Sequence, residues 1–226
     1  KSGNCTLSGG SLTATMTSAT QGGAFANTSF SSGKLYYEAR IKALVGSLWS
    51  IGWANASAVL TTGLGVNKDS VVFQPNTTGR TLFNNTSLGT DFTGTAGLVV
   101  GVAIDIANKL VWFRYNKGYW NASPTADPGA GTGGLSVSTI NAGPYFPIFS
   151  SNGNGAAVAA NFGATGFSYP IPSGFSSVDT NTQSYEAVSK LIGYADARGP
   201  IAGMQVSKLE GLVETRQPVA GMQVSK

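Results

Sequence analysis

The sequence has no histidine and a single cysteine, and charged residues make up only 11% of it. Without histidine there is no imidazole to serve as general base, as partner to a nucleophile, or as the commonest zinc ligand. Serine and threonine are plentiful, but no base stands where it would activate one. Cys5 on its own excludes an internal disulfide framework, and it reads as a small buried or edge residue, not a nucleophile. No apolar run reaches the roughly 18 residues of a membrane span, and no stretch reads as a secretory signal. The formal charge of +4 is spread thinly, with no Lys/Arg cluster, which argues against nucleic-acid binding.

What is abundant points one way. Glycine numbers 31, and Ser, Thr and Asn fill much of the rest. That is the profile of an all-β chain of short strands and small polar turns, since helices favour Ala, Leu, Glu and Lys. A length of 226 residues suits one domain or two and buries a sizeable core without a staple. The chain starts at Lys1, not Met, and stops inside a repeat, so it reads as a piece of something longer.

The strongest pattern runs from Gly101 to Trp120, GVAIDIANKLVWFRYNKGYW. Val100, Val102, Ile104 and Ile106 alternate with Val99, Gly101, Ala103 and Asp105, the period of a strand with one apolar face. Asn108, whose short side chain tolerates a left-handed backbone, marks a turn. Beyond it Val111, Phe113 and Tyr115 share one face, and Leu110, Trp112 and Arg114 the other. The two strands should pair as an antiparallel hairpin, closed by Asn116-Lys117-Gly118.

Other strands surround it. Residues 4–17 carry Leu7, Leu12 and Met16 about a reversal at Gly9-Gly10. In residues 33–45, Leu35, Tyr37, Ala39 and Ile41 oppose Tyr36, Glu38, Arg40 and Lys42. Residues 48–54, 145–150 and 155–162 read as further strands, while 55–97 holds only short apolar pieces, Val71-Val72-Phe73 and Leu82-Phe83. Ser123 to Gly134 reads as loop, and Ser168 to Phe175, with two prolines, as an edge or closing segment.

Composition shifts near Ser176. Val188-Ser189-Lys190-Leu191 recurs as Val206-Ser207-Lys208-Leu209, and Val224-Ser225-Lys226 begins a third copy, a period of 18 residues. Ala202 to Lys208 is repeated letter for letter as Ala220 to Lys226. Identity at a fixed offset marks a true repeat, and strand or helix both remain open for it.

Five carboxylates occupy the main body: Glu38, Asp69, Asp91, Asp105 and Asp127. Only Glu38 and Asp105 sit on clear strands, each on the less apolar face, so they read as surface charges or turn-fixing groups and not as a glycosidase pair. No Asp-x-Asp-x-Asp-Gly run suggests calcium, and no cofactor or metal is expected. Trp49, Trp53 and Trp112 lie within strands and read as packing. Tyr119 and Trp120, where the hairpin runs out into a loop, are the candidate ligand-binding residues, because a rim aromatic stacks on a sugar or anchors a peptide, and the other reading of Trp120 is that it closes the end of the core. Seven Asn-x-Ser/Thr triplets, at Asn4, Asn27, Asn55, Asn76, Asn84, Asn85 and Asn121, follow from composition and are read as bare.

With these pieces in order, residues 1–175 resemble a SPRY domain. GKLYYEARI resembles the family's Gly-Lys strand, LWSIGWA its Ile-Gly strand, and GVAIDIANKLVWFRYN its most recognisable segment, through Gly101, Asp105, Phe113 and Asn116. YFPIFSSNGNGAAVAANFG resembles the later strands ending in Asn161-Phe162-Gly163. Two positions depart from the pattern: Lys109 stands where the family usually has Gly, and Lys117 splits its Asn-Gly pair. The resemblance implies a bent antiparallel β-sandwich of the concanavalin-like jelly-roll type, with any ligand held by loops at one end.

The Ser/Thr/Asn/Gly-rich style and the repeat tail at 176–226 resemble SPRY-bearing structural proteins of bacteriophages. The expectation is a non-enzymatic virion protein on the particle surface: a capsid decoration, a head or tail fibre, or another tail appendage. Its partners would be other virion proteins and copies of itself, a homotrimer favoured, with a host-surface protein or glycan as ligand. An 18-residue unit cannot bury a face alone, so Val188, Leu191, Val206, Leu209 and Val224 are the expected assembly contacts. The competing readings are an animal-type SPRY peptide-recognition adaptor and a carbohydrate-binding or carbohydrate-active lectin-like protein.

Overall fold

The computed structural model describes residues 1–75, 79–89 and 93–179. β1 (Cys5–Ser8) and β2 (Thr13–Met16) form the first hairpin, reversed by Gly9, Gly10 and Ser11, all at positive φ. β3 (Gly22–Phe25) precedes the long β4 (Lys34–Ala43) and β5 (Trp49–Asn55). The weakly patterned middle then yields β6 (Ser70–Gln74), β7 (Arg80–Phe83) and β8 (Thr86–Ser87), in which Val71, Val72, Phe73, Leu82 and Phe83 are all buried.

The central hairpin is β9 (Val99–Asp105) and β10 (Leu110–Tyr115), with Leu110 opposite Asp105 and Tyr115 opposite Val100. Its turn differs from the expectation by one residue. Lys109, not Asn108, takes the left-handed backbone, with φ at 55°. Asn108 instead donates its backbone N–H and its side-chain amide to the Asp105 carboxylate, at 3.0 and 2.8 Å. β11 (Leu135–Ser136), β12 (Tyr145–Ser151), β13 (Ala157–Asn161) and β14 (Ser176–Ser177) follow.

Two sheets result. The first runs β1-β2-β13-β4-β9-β10-β11, and β14 pairs parallel with β4 at Leu35 and Tyr36, beyond the residues that β13 occupies. The second runs β3-β12-β5-β6-β7-β8, and every named pairing except that of β14 is antiparallel. This is an all-β architecture, as the alternation implies, arranged in the two antiparallel sheets that the resemblance implies.

Tyr37, Ile41, Val102 and Phe113 of the first sheet meet Trp49, Trp53, Phe73 and Phe149 of the second in the main core. The rings of Tyr37 and Trp53 sit edge to face at 5.4 Å, and the Tyr37 hydroxyl donates across the sandwich to the Gly52 carbonyl at 2.8 Å. Burial of that hydroxyl raises its pKa far above the ordinary tyrosine range. A Cβ at position 52 would run into the Val71 carbonyl, so the close approach of β5 to β6 demands glycine there.

The outer face of the first sheet is covered too. Tyr36, Ala103, Trp112, Trp120 and Phe175 form a separate buried cluster on it. Phe167 and Phe175 pack on this face, and beyond them Val178 is buried in the main core with 3% exposure. This corrects the reading of Glu38 as a charge on an open face: it is only 2% exposed, because a later part of the chain closes over it. Asp105, equally buried, is the turn-fixing group of the other reading, bonded by Asn108. The segment read as an edge or closing piece up to Phe175 therefore continues, through β14, to at least Val178.

Candidate functional site

Tyr119 and Trp120 diverge. Tyr119 is 65% exposed, whereas Trp120 is 9% exposed, which corrects the expectation that its ring is partly exposed and agrees with the other reading, closure of the end of the core. The cause is Asn121, at φ 48°. Its Oδ1 accepts the Phe113 N–H at 2.9 Å, and its Nδ2 donates to the Val111 and Gly133 carbonyls. That pins a 3-10 turn, Trp120–Ala122, against β10 and lays the indole edge to face on Tyr36, 6.2 Å between ring centres. The Arg114 guanidinium lies 4.4 Å from the Trp120 ring centre and 5.4 Å from that of Tyr169, a cation held between two π faces.

The carboxylates are committed to the fold. Glu38 accepts the backbone N–H groups of Ser168 and Tyr169, at 2.8 and 2.9 Å, and the Tyr36 hydroxyl at 3.0 Å. Burial, with the Glu38 charge second, raises the Tyr36 hydroxyl well above its usual range, against the pull of Arg114. Burial opposes ionisation of Asp105, but hydrogen bonds from Asn108 and the Lys34 ammonium at 3.4 Å outweigh it and hold the carboxyl below the ordinary range. Asp69 accepts from the Asn55 and Asn141 amides, and Asp127 from the Gly129 N–H. Asp91 lies outside the described residues. Burial raises the Cys5 thiol above its normal pKa, which leaves it inert at neutral pH. Among the described residues no cluster of His, Cys, Asp and Glu could hold a metal ion.

Two of the Asn-x-Ser/Thr asparagines are structural. Asn121 is spent as above, and Asn55, 5% exposed, bonds Asp69, Ala142 and Ser57. Neither amide is free to carry a glycan.

The concave feature of the sandwich escapes the sequence pattern. Where the first hairpin meets β3, the sheets part into a cleft of ≈ 440 Å³ bordered by Leu7, Leu12, Phe25, Asn27 and Phe162. A smaller apolar notch of ≈ 70 Å³ reaches inward between Ala14, Ala24, Tyr37, Ala39, Ile51 and Val158. Alanines facing one another leave that space. Leu7 and Leu12 stand at the lip with 37% and 39% exposure. Such a notch accepts an apolar side chain and offers no group for chemistry. The expected assembly contacts Val188, Leu191, Val206, Leu209 and Val224 lie outside the described residues.

Compared with the sequence profiles of known families, residues 34–165 match the SPRY domain. The chain belongs to the SPRY family. The crystal structure of the SPRY domain of human HERC1 is similar, with a TM-score of 0.56 at 15% identity, covering 72% of this chain and 94% of that one. At that identity the likeness is one of fold. A search of curated proteins gives no match. SPRY domains are protein-interaction modules, typically without enzymatic activity.

Proposed function

We propose that this chain is a non-enzymatic structural protein of a bacteriophage particle. In this reading the SPRY sandwich is displayed on the particle surface as its recognition module, possession of which the family match supports. The segment after it joins neighbouring chains. The observation that carries this reading is the repeat of 18-residue period that follows an interaction fold, identical over Ala202–Lys208 and Ala220–Lys226, because a unit that short needs other chains to bury its apolar positions. Symmetric self-association, a homotrimer favoured, supplies that surface through Val188, Leu191, Val206, Leu209 and Val224.

Mass spectrometry and gold labelling of purified phage particles test the proposal. The expected result is the chain at a fixed copy number in washed particles, accessible to antibody on their surface. Its absence from particles that contain every other virion protein would sink it. Multi-angle light scattering of the full chain reads the trimer separately.

A further inference from the structure

The positive charge looks thinly spread along the sequence, but strand register gathers part of it. Arg40 on β4 lies opposite Val99 on β9, and Glu38 and Arg114 flank Gly101 from either side. Asn116 brackets Val99 through its own N–H and its Oδ1, so Lys117 follows directly at the same level. Lys42, exposed, stands two residues past Arg40, at the irregularity where Ala43 pairs with Ala157 and Ile41 with Val158. Neighbouring strands are about 4.8 Å apart, which puts β4 about 10 Å from β10. Arg40, Lys42, Arg114 and Lys117 therefore share one end of one sheet, near enough to act as one field at ordinary salt.

Among the described residues this charge has no carboxylate paired with it. At the other end of the same strands Lys34 pairs with Asp105, and Lys109 donates to the Tyr145 hydroxyl. Here the one carboxylate on β4, β9 and β10 is Glu38, buried, with both oxygens already accepting. The arginines are also held in place. Arg40 donates to the Gly97 carbonyl and the Ser168 hydroxyl, and Arg114 to the Pro170 carbonyl. Binding would therefore cost little further side-chain entropy. A pocket of ≈ 270 Å³ opens beside Arg40, between Val99, Asn161, Thr165 and Ser168. Just past Lys42, Val45 and Leu48 are 44% and 43% exposed.

We propose that this end of the first sheet, with Arg40, Lys42, Arg114 and Lys117 as its charges and Val45 and Leu48 at its margin, is a docking surface for an acidic segment of a partner protein. Charge complementarity selects the occupant: carboxylates match arginine forks held in position, and exposed aliphatic side chains beside them suit a polypeptide. A nucleic acid is a poorer match, because phosphate-backbone binding uses a longer run of cations and leaves Val45 and Leu48 idle. The inference rests on the reading of the chain as an interaction module and names the partner of that module by its chemistry.

The test is a random-peptide display library panned on the immobilised full chain, with the recovered peptides titrated by fluorescence anisotropy. Recovered sequences should be enriched in Asp and Glu over the input. The double variant Lys42→Glu/Lys117→Glu, in side chains with no hydrogen bond among the described residues, should weaken their binding about tenfold or more, as should raised salt. Lys68→Glu, elsewhere on the surface, should leave it unchanged. Peptides without an acidic excess, or bound equally by the double variant, would overturn the surface while leaving an interaction module in place. Tighter binding of duplex DNA or a sulfated polysaccharide, lost in the same variant, would also overturn it. Failure of every probe to bind the chain would count against the interaction reading itself.

Discussion

The Lys109 ammonium donates to the Tyr145 hydroxyl at 2.9 Å and lies 5.0 Å from the centre of the same ring. Lys109 is also the residue at φ 55° in the central turn, a conformation that costs a side chain about 1 kcal/mol. The contact with Tyr145, which itself donates to the Asn141 carbonyl at 2.8 Å, offsets that strain and accounts for a lysine where related turns favour glycine. Lys109→Gly should relieve the strain and lose the contact, leaving stability within about 1 kcal/mol of the parent. Lys109→Ala keeps the strain and loses the contact, so it should be the less stable of the two by about 1 kcal/mol. Urea denaturation of both variants checks the order; alanine at or above glycine would refute it.

Asp105 sets a pH dependence. Its carboxyl is held below its ordinary value in the folded chain, mainly by Asn108 and Lys34 acting against burial. A depressed carboxylate contributes stability that is fully present above its unfolded pKa of about 3.9 and is lost as pH falls through the lower folded value. Asp105→Asn should therefore cost about 2 kcal/mol at pH 7 and much less in acid, below the folded pKa. Chemical denaturation at the two pH values measures this, and an equal loss at both would show that the charge is not the cause.

Glu38 fastens residues 168 and 169 to β4. Glu38→Ala would leave the N–H groups of Ser168 and Tyr169 and the Tyr36 hydroxyl without their acceptor, costing roughly 3 kcal/mol or more. Glu38→Gln retains one acceptor oxygen and should cost less. Hydrogen exchange would register the change first at the amides of Ser168 and Tyr169; unaltered protection there in Glu38→Ala would disprove the fastening.

Phe113 and Trp120 are both buried, at 0% and 9% exposure, while the neighbouring Tyr119 is open. Phe113→Ala and Trp120→Ala should each destabilise by roughly 3–5 kcal/mol as cavity mutations, and Tyr119→Ala by no more than about 0.5 kcal/mol. Thermal or urea unfolding of the three variants separates them. If Trp120→Ala behaved like Tyr119→Ala, the described burial of the indole would be wrong.

The contrast between Phe113 and Trp120 marks how far the sequence reaches. Alternation of Val100, Val102 and Ile104 against Val111 and Phe113 suffices to name the hairpin and its inner face, because period 2 and burial coincide there. Alternation says which face a residue occupies, not what later covers that face. Glu38 is covered by Ser168 and Tyr169, and Trp112 by Thr132 and Phe175, from stretches too rich in Gly, Ser and Pro to announce themselves as a lid. The cleft at Leu7 and Leu12, and the assembly of Arg40, Lys42, Arg114 and Lys117, depend on strand order and register across distant segments. No local pattern encodes these.

The end of the sandwich gives the last prediction. Alternation and the Pro-containing segment place the boundary at Phe175, but three further residues attach to the sheet. Ser176 and Ser177 pair with Leu35 and Tyr36, Val178 is 3% exposed in the main core, and its N–H donates to the Tyr36 carbonyl. Asp179 then donates its N–H to the Phe162 carbonyl at 2.7 Å. A chain truncated after Asp179 should keep all of this; one truncated after Phe175 loses the burial of Val178, about 1.5–3 kcal/mol, and the backbone bonds of β14. Both should fold, because the sheets themselves remain, but the shorter should unfold at distinctly lower urea with a similar m-value. Coincident unfolding curves for the two would place the boundary at Phe175 after all and show that β14 adds nothing to the sandwich.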